Sequence, residues 1–411
     1  MESFVVKWLM FYIEDHIDPK QFGGLKGNSI SHYMIELVNF ILYSQDYNLP
    51  IAVLACAVDF SKAFNRQNHN ILITKLSDLG VPGWLLNLVM GFLSDRKMVV
   101  RYKGETTGMK ALPGGGPQGT LLGLLLFLIL INDCGFDDQD KPIGQTITSQ
   151  KKKFSSPTFH SKYVDDLTIA EAINLKETLL PNTERALPDP YHARLGQKLC
   201  PEKSKVFEQI GKIQEYASEN QMKLNTAKCK FMLFNPTINY DFIPELEIDG
   251  RELDTMEEMK MLGLVLSNDL SWRPNTDNMV MKAYKRIWMI KRLKSRGANL
   301  DDLTDIYTKQ IRSVLEFGVP VWNCGLTKAE VTDIERVQKS FLHIALGDSY
   351  GDYDNALSIS KLETIEERRK NLCIKFAKKA AKHPKHKDWF VPESKPNTRS
   401  EKGILRPQLK D

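Results

Sequence analysis

A chain of 411 residues has room for two or three domains, and 42% hydrophobic with 26% charged residues excludes a disordered class. The net charge of +5 is too small to signal a polyanion partner by itself, and six scattered cysteines without a CxxC argue against a structural zinc. The longest apolar run, 121–131, is too short to span a bilayer, and the apolar opening "MESFVVKWLMFYI" lacks the basic start of a signal peptide. An intracellular protein with no membrane partner is expected, its compartment (nuclear or cytoplasmic) left open.

Residues 4–16 have the apolar spacing of a helix, and "QFGGLKGNS" (21–29) is a loop of turn formers. A second helix is expected over 29–44, where Tyr33, Met34, Leu37, Val38, Ile41 and Leu42 recur at helical intervals. "IAVLACAVDF" (51–60) is a short continuous apolar run ending in an acid, which fits a buried strand that delivers Asp59 to its end. Residues 67–95 read as helical around "LGVPGW", and "KMVVRYKGET" (97–106) as a hairpin strand with its turn. The glycine-rich "LPGGGPQG" then runs into a strongly apolar helix, and 140–161 is expected to be loop, with Lys151–Lys153 an exposed charge run.

"KYVDDLTIAE" (162–171) places two aspartates side by side between apolar runs. Side chains alternate faces along a strand, so both acids can share one side only if a tight turn separates two short strands. After a polar stretch (181–220), "KLNTAKCKFMLF" (223–234) reads as a turn entering a strand and "MKMLGLVLSNDLSW" (259–272) as a hairpin. From 278 to 381 the pattern is mostly helical, and the tail after Pro384 is polar and loose. Between 279 and 300 stand seven Lys or Arg and no acid up to Leu300. On a helix, Lys282, Lys285, Arg286, Arg292 and Arg296 fall near one face, leaving Tyr284, Ile287, Trp288 and Leu293 to pack elsewhere. Such a face suits a phosphate backbone, and its bland alternative is a solvated surface.

A lone Asp-Asp is ordinarily a solvated turn. Here it stands with an acid at a strand end (Asp59) and a glycine-rich loop between them (114–120). Hard cations need several oxygen ligands, and two such ions activate an attacking hydroxyl and stabilise a leaving phosphate oxygen. Phosphoryl transfer can then proceed by positioning and charge stabilisation without a protein nucleophile.

As a set, "AVDFSKAFN" (57–65), "GGGPQGTLLGLLLFLILIND" (114–133) and "YVDD" (163–166) resemble the palm motifs of reverse transcriptases. The likeness is to non-LTR (LINE-type, jockey-like) retrotransposons, and it extends over about residues 1–385. The resemblance implies an α+β fold: a right-hand polymerase palm, a small antiparallel sheet backed by helices, with partial fingers and a helical thumb. It implies a remnant of fingers at 1–50, palm with primer-grip hairpin at 51–273, thumb at 274–385 and a flexible tail at 386–411. Asp59, Asp165 and Asp166 would be catalytic, holding two Mg²⁺ (or Mn²⁺) with the backbone carbonyl of Phe60. Phe60, Phe64, Gln118 and Gly119 would meet the nucleotide, Phe64 against the sugar 2′ position and Gly119 allowing close backbone approach. Tyr163, Leu262 and Gly263 would contact the primer, joined by the basic face of 282–296. Lys228 or Lys230 would approach the triphosphate, and the sequence does not choose between them.

The implied partners are an RNA template, a DNA primer and dNTPs, with an element-encoded RNA-binding or endonuclease protein as a further candidate. The chain departs from its relatives in starting within what resembles the end of the fingers, as an N-terminally truncated form would. Asn65 stands where many relatives have Asp, and Leu124 where many have Pro. Two alternatives stand beside the polymerase. One is an RNA-dependent RNA polymerase, against which Phe64 argues. The other is a catalytically silent remnant that only binds nucleic acid.

Overall fold

A computed structural model describes residues 2–45, 51–112, 114–134, 156–174, 204–234 and 246–390. These fall into two compact units, one drawn from 1–29, 49–233 and 237–255, the other from 30–48, 234–236 and 256–411.

The first unit is organised by a five-stranded sheet. Its strands are β1 (Ile51–Val58), β2 (Thr158–Tyr163), β3 (Asp166–Asn174), β4 (Lys230–Phe234) and β5 (Asp254–Thr255), in the order β5-β4-β1-β3-β2. β1 and β3 run antiparallel from Ile51 opposite Asn174 to Val58 opposite Leu167, and β2 pairs with β3 as a hairpin. β4 and β5 pair in parallel. The unbroken apolar run of β1 has its explanation in burial on both faces: Ile51, Val53 and Ala55 are as inaccessible as Ala52, Leu54 and Cys56.

In chain order the helices up to β4 are α1 (Glu2–Ile13), α2 (Ile30–Gln45), α3 (His69–Asp78), α4 (Gly83–Leu93), α5 (Leu121–Leu130) and α6 (Lys205–Glu219). All but α2 belong to the first unit, and their apolar faces join β1 and β3 in one core. The helix starts are chemically marked. The Asn68 side chain accepts from the backbone N–H of Asn70 and Ile71 at α3, and Thr120 Oγ1 accepts from Gly123 at α5. α5 is buried almost all round, which accounts for its uniformly apolar sequence.

Two expectations need correction. Residues 158–161 belong to β2 rather than to a loop, because they hydrogen-bond β3 from Thr158 to Tyr163. Lys151–Lys153 lies outside the described residues. The polar stretch before 220 contains α6, whose Val206, Ile210, Ile213 and Ala217 form a buried stripe at helical spacing. A buried acid from β3 anchors it: Glu171 Oε2 accepts from Ser204 Oγ at 2.8 Å and from Val206 N at 3.2 Å.

The second unit begins its C-terminal portion with the hairpin β6 (Glu258–Met261) and β7 (Leu264–Ser267), followed by α7 (Arg273–Lys294). Further helices cover Leu300–Ile306, Lys328–Leu346, Tyr353–Ser360 and Ile365–Ala380. The Tyr307 ring lies flat on Phe341, 4.1 Å between centroids, and Trp322 is fully buried. Thr327 and Glu330 cap the 328–346 helix reciprocally. His386, within the stretch expected as tail, is buried and stacks on His32 at 4.4 Å. Residues 391–411 lie outside the described residues.

Candidate active site

The ladder between β1 and β3 ends at Val58 opposite Leu167. The next positions along each strand are Asp59 and Asp166, so an acid ends the one strand beside the acid that begins the other. β2 and β3 join through Val164 and Asp165, which puts Asp165 in the turn and Asp166 at the first position of the returning strand. Asp59 and Asp165 are partly exposed and Asp166 is exposed.

The turn is strained. Val164 has φ +59°, and among the described non-glycine residues with positive φ it is the β-branched one. A hairpin with a left-handed first central residue favours glycine there, and a valine in its place costs on the order of 1–3 kcal/mol.

Asp59 is held from the other side by the segment that precedes β4. Its carbonyl accepts from Asn225 N at 2.8 Å, its N–H points to Cys229 Sγ at 3.4 Å, and Phe60 forms an antiparallel bridge with Leu224. The same tight turn, closed by Lys228 N donating to Asn225 O, carries the Lys228 ammonium to 3.7 Å from Asp59 Oδ2. Lys230 instead starts β4 and pairs with Asp254 in the ladder.

The carboxyls feel one another. Desolvation, then the charges of Asp165 and Asp59, push the Asp166 carboxyl up to about 6, with Lys228 opposing. Asp165 is raised by desolvation and by Asp59, again against Lys228. Burial also raises the Tyr163 phenol.

Among the described residues, no three His, Cys, Asp or Glu side chains are gathered closely enough to hold an ion as they stand. The donors nevertheless fit a hard divalent cation. Three acids share one end of the sheet, Asp59 Oδ2 is buried without a hydrogen-bond donor, and a cation would relieve the repulsion that raises Asp165 and Asp166.

Other expected residues surround this end of the first unit in different ways. Phe60 is buried. Phe64 is half-buried, its ring stacked 4.5 Å from Phe127 of α5, while its carbonyl accepts from Gly116 N at 2.7 Å. Gln118 and Gly119 are exposed in the turn before α5. Gly119 has φ +80° and open space around a Cβ position, so backbone conformation rather than crowding calls for glycine there. A cleft of about 480 Å³ opens nearby in the chain, lined by Asn65, Arg66, His69, Met90, Gly114 and Gln221 among others, and holds none of the expected site residues. Sequence reasoning missed Gln21 and Gly23, which touch the Val164 turn.

The remaining candidates belong to the second unit. Leu262 (φ +47°) and Gly263 (φ +91°) form the β6–β7 turn, and a Cβ on Gly263 would meet the Phe317 ring at 2.9 Å. On α7 the buried stripe is Met279, Ala283, Ile287 and Ile290. Of the residues left to pack elsewhere, Ile287 is buried while Tyr284 and Trp288 lie exposed among the cations, with the Arg292 guanidinium 5.8 Å over the Trp288 ring. The reason is the helical period: 284 and 288 fall outside the 279–283–287–290 stripe. Lys285, Arg286, Arg292 and Arg296 are exposed and Lys282 partly so, and Arg286 donates to the Gln310 carbonyl. No helix among the described residues is long and apolar enough to cross a membrane.

The profile of the family described as reverse transcriptase (RNA-dependent DNA polymerase) matches residues 1–266. The chain is 23% identical over 372 residues to the RNA-directed DNA polymerase from mobile element jockey of Drosophila funebris, covering 89% of this chain and 36% of that protein. It is 20% identical over 369 residues to the probable RNA-directed DNA polymerase from transposon BS of Drosophila melanogaster, covering 88% and 36%. The chain thus spans just over a third of the length of these relatives. A solved structure of telomerase from Candida tropicalis with a fragment of telomeric RNA aligns over 94% of this chain and 55% of its own, at 12% identity and a TM-score of 0.43.

Proposed function

The chain belongs to the reverse transcriptase (RNA-dependent DNA polymerase) family, and from that premise we propose that it carries out RNA-directed DNA synthesis, adding dNTPs to a primer 3′-hydroxyl. The observation that carries this reading is the register of β1 against β3, which leaves Asp59 and Asp166 as neighbouring strand ends with Asp165 in the adjoining turn.

In this reading Asp59, Asp165 and Asp166, with the Phe60 carbonyl, hold two divalent ions. Bound there, Mg²⁺ (or Mn²⁺) supplies charge that acidifies the attacking hydroxyl and neutralises the leaving pyrophosphate. The reaction forms one bond from the primer 3′-oxygen to the α-phosphorus and breaks the bond from that phosphorus to the α–β bridging oxygen, releasing pyrophosphate while the hydroxyl proton passes to water. Lys228, largely exposed beside Asp59, offers a mobile ammonium to the triphosphate, and its position favours it over Lys230. Gln118 presents an amide at the surface for the incoming nucleotide, and Phe64 closes the space at the sugar 2′ position. Tyr163, at the end of β2, supports the primer terminus. Leu262, Gly263 and the cations of α7 hold the primer–template backbone, where positive charge suffices without base reading.

Primer extension on an RNA template with dNTPs and Mg²⁺, beside an Asp165→Asn, Asp166→Asn double variant, tests the proposal. Extension lost in the double variant supports it. Absence of extension with duplex binding kept would leave a silent nucleic-acid binder, and extension with NTPs preferred over dNTPs would point to an RNA-synthesising enzyme.

A further inference from the structure

The loop "QFGG" sits against the acidic hairpin in a way that the proposed chemistry leaves unexplained. Residues 20–22 run as an added edge beside β2: Lys162 N donates to Lys20 O at 3.0 Å, and Phe22 N donates to Lys162 O at 2.8 Å. At the end of this edge the buried Gln21 turns its carbonyl oxygen toward the turn. Gln21 Oε1 accepts from Gly23 N at 2.9 Å and from Val164 N at 3.1 Å. One side-chain oxygen therefore fixes two backbone amides, one of them on the strained residue that precedes Asp165.

Gly23 shows how close this approach is. A Cβ there would lie 2.5 Å from Val164 N, 2.6 Å from Val164 Cγ2 and 2.9 Å from the Tyr163 carbonyl carbon. Backbone is packed on backbone, and no side chain has room.

The base of the arrangement is ionic. The Lys162 side chain is 1% exposed, and its ammonium reaches Asp18 Oδ2 at 2.7 Å, Asn132 O at 2.7 Å and Ile131 O at 3.1 Å. Three N–H donors thus have three acceptors. Asp18 N in turn donates to Asn132 Oδ1 at 2.8 Å, and Asn132 Nδ2 donates to the His16 carbonyl at 2.7 Å. The 16–23 segment is tied at once to the end of α5 and to the strand that enters the acidic turn.

We propose that Gln21 is a positioning residue: by holding the Val164 amide it keeps the left-handed turn in the one conformation that aims Asp165 and Asp166 at a shared cation. A turn free of this bond would relax toward backbone that valine prefers and swing the Asp165 carboxylate away. The inference rests on the metal role proposed above for the acids. It adds that ligand geometry is set from a loop about 140 residues earlier in the chain.

The test uses Mn²⁺ alone as probe, titrated by electron paramagnetic resonance without nucleotide. Alongside it, hydrogen exchange is read at the Val164 amide. Wild type should show a protected Val164 amide and Mn²⁺ binding that disappears in the Asp165→Asn, Asp166→Asn variant. Gln21→Leu should speed exchange at Val164 and weaken Mn²⁺ binding about tenfold, and the affinity is read well below the variant's unfolding temperature, which the two unsatisfied amides lower. Gln21→Glu, which keeps the accepting oxygen, should restore both to near wild type.

An unprotected Val164 amide in wild type overturns the proposal, and that measurement needs no variant to fold. Faster exchange with unchanged Mn²⁺ affinity overturns it too, by leaving Gln21 a purely structural bond. If wild type itself binds no Mn²⁺ that depends on the two acids, the metal role fails and the proposal falls with it. That outcome is recognisable because the defect is then present before Gln21 is touched.

Discussion

Asp166→Asn should stabilise the chain in the absence of metal. Desolvation and the neighbouring charges of Asp165 and Asp59 lift the Asp166 carboxyl from 3.8 to about 6. A carboxyl that binds its proton more tightly in the folded than in the unfolded chain makes folding lose free energy as pH rises through that window. Below about pH 4 the acid is neutral in both states and costs nothing, and above about pH 6 the whole penalty is present. Two pKa units correspond to about 3 kcal/mol. Because the Asp166 side chain is exposed, water screens much of this, and ~1–2 kcal/mol is the expected remainder. For a unit of this size that amounts to roughly 2–8 °C in unfolding temperature. Scanning fluorimetry in EDTA should find Asp166→Asn above wild type by this margin at pH 8, with the gap about halved at pH 5 and closed by about pH 4. Mg²⁺ at pH 8 should raise wild type and leave the variant in place, since the cation binds the folded ligand set. A gap that persists unchanged at pH 5, or no gap at pH 8, would refute the charge-repulsion account.

Three further outcomes are expected. Lys228→Gln should raise the dNTP KM about tenfold, the loss of one charge-assisted phosphate contact. It should also shift the acidic limb of the pH–rate profile upward, because Lys228 holds the Asp165 and Asp166 pKa values down. Phe64→Val should let ribonucleotides compete at least about tenfold better, read by single-nucleotide incorporation, and should cost ~1–3 kcal/mol of stability because the ring leaves Phe127. Lys285→Ala with Arg292→Ala should lower the slope of log affinity against log salt by about 2 in a duplex-binding titration, without changing the preference among sequences.

How much of this could be read from the chain follows from the range of each interaction. β1 announced itself as a continuous apolar run because both of its faces are buried, and α5 as an apolar run opened by the glycine-rich loop because it is buried almost all round. The acids of the site were legible as a spaced set, since Asp59 and the Val164–Asp165 turn each sit at a strand end that local pattern marks. α6 was missed although its buried stripe has helical spacing, because the residues between are polar enough to hide it. That Lys228 rather than Lys230 stands beside Asp59 follows from the turn at Asn225, whose bonds decide which lysine leaves the strand and which no local pattern foretells. Phe64 shows the reverse limit. Its offset from Asp59 singles it out, yet nothing local foretells that its ring leans on Phe127.

The contacts of Gln21 mark where reading a sequence stops for a physical reason. Period, capping and turn chemistry all concern neighbours within a few residues, whereas Gln21 Oε1 meets Val164 N across 143 positions. A turn rule would have called for glycine at Val164, and the chain breaks that rule at the point where two carboxylates must be aimed. A strained residue persists only where its surroundings over-determine it. The Gln21 oxygen, the close seat of Gly23 and the Lys162–Asp18 pair supply that over-determination from three directions. The violation in one short segment and the otherwise unexplained loop in another are thus two halves of a single device, and each is intelligible only once the fold has brought them together.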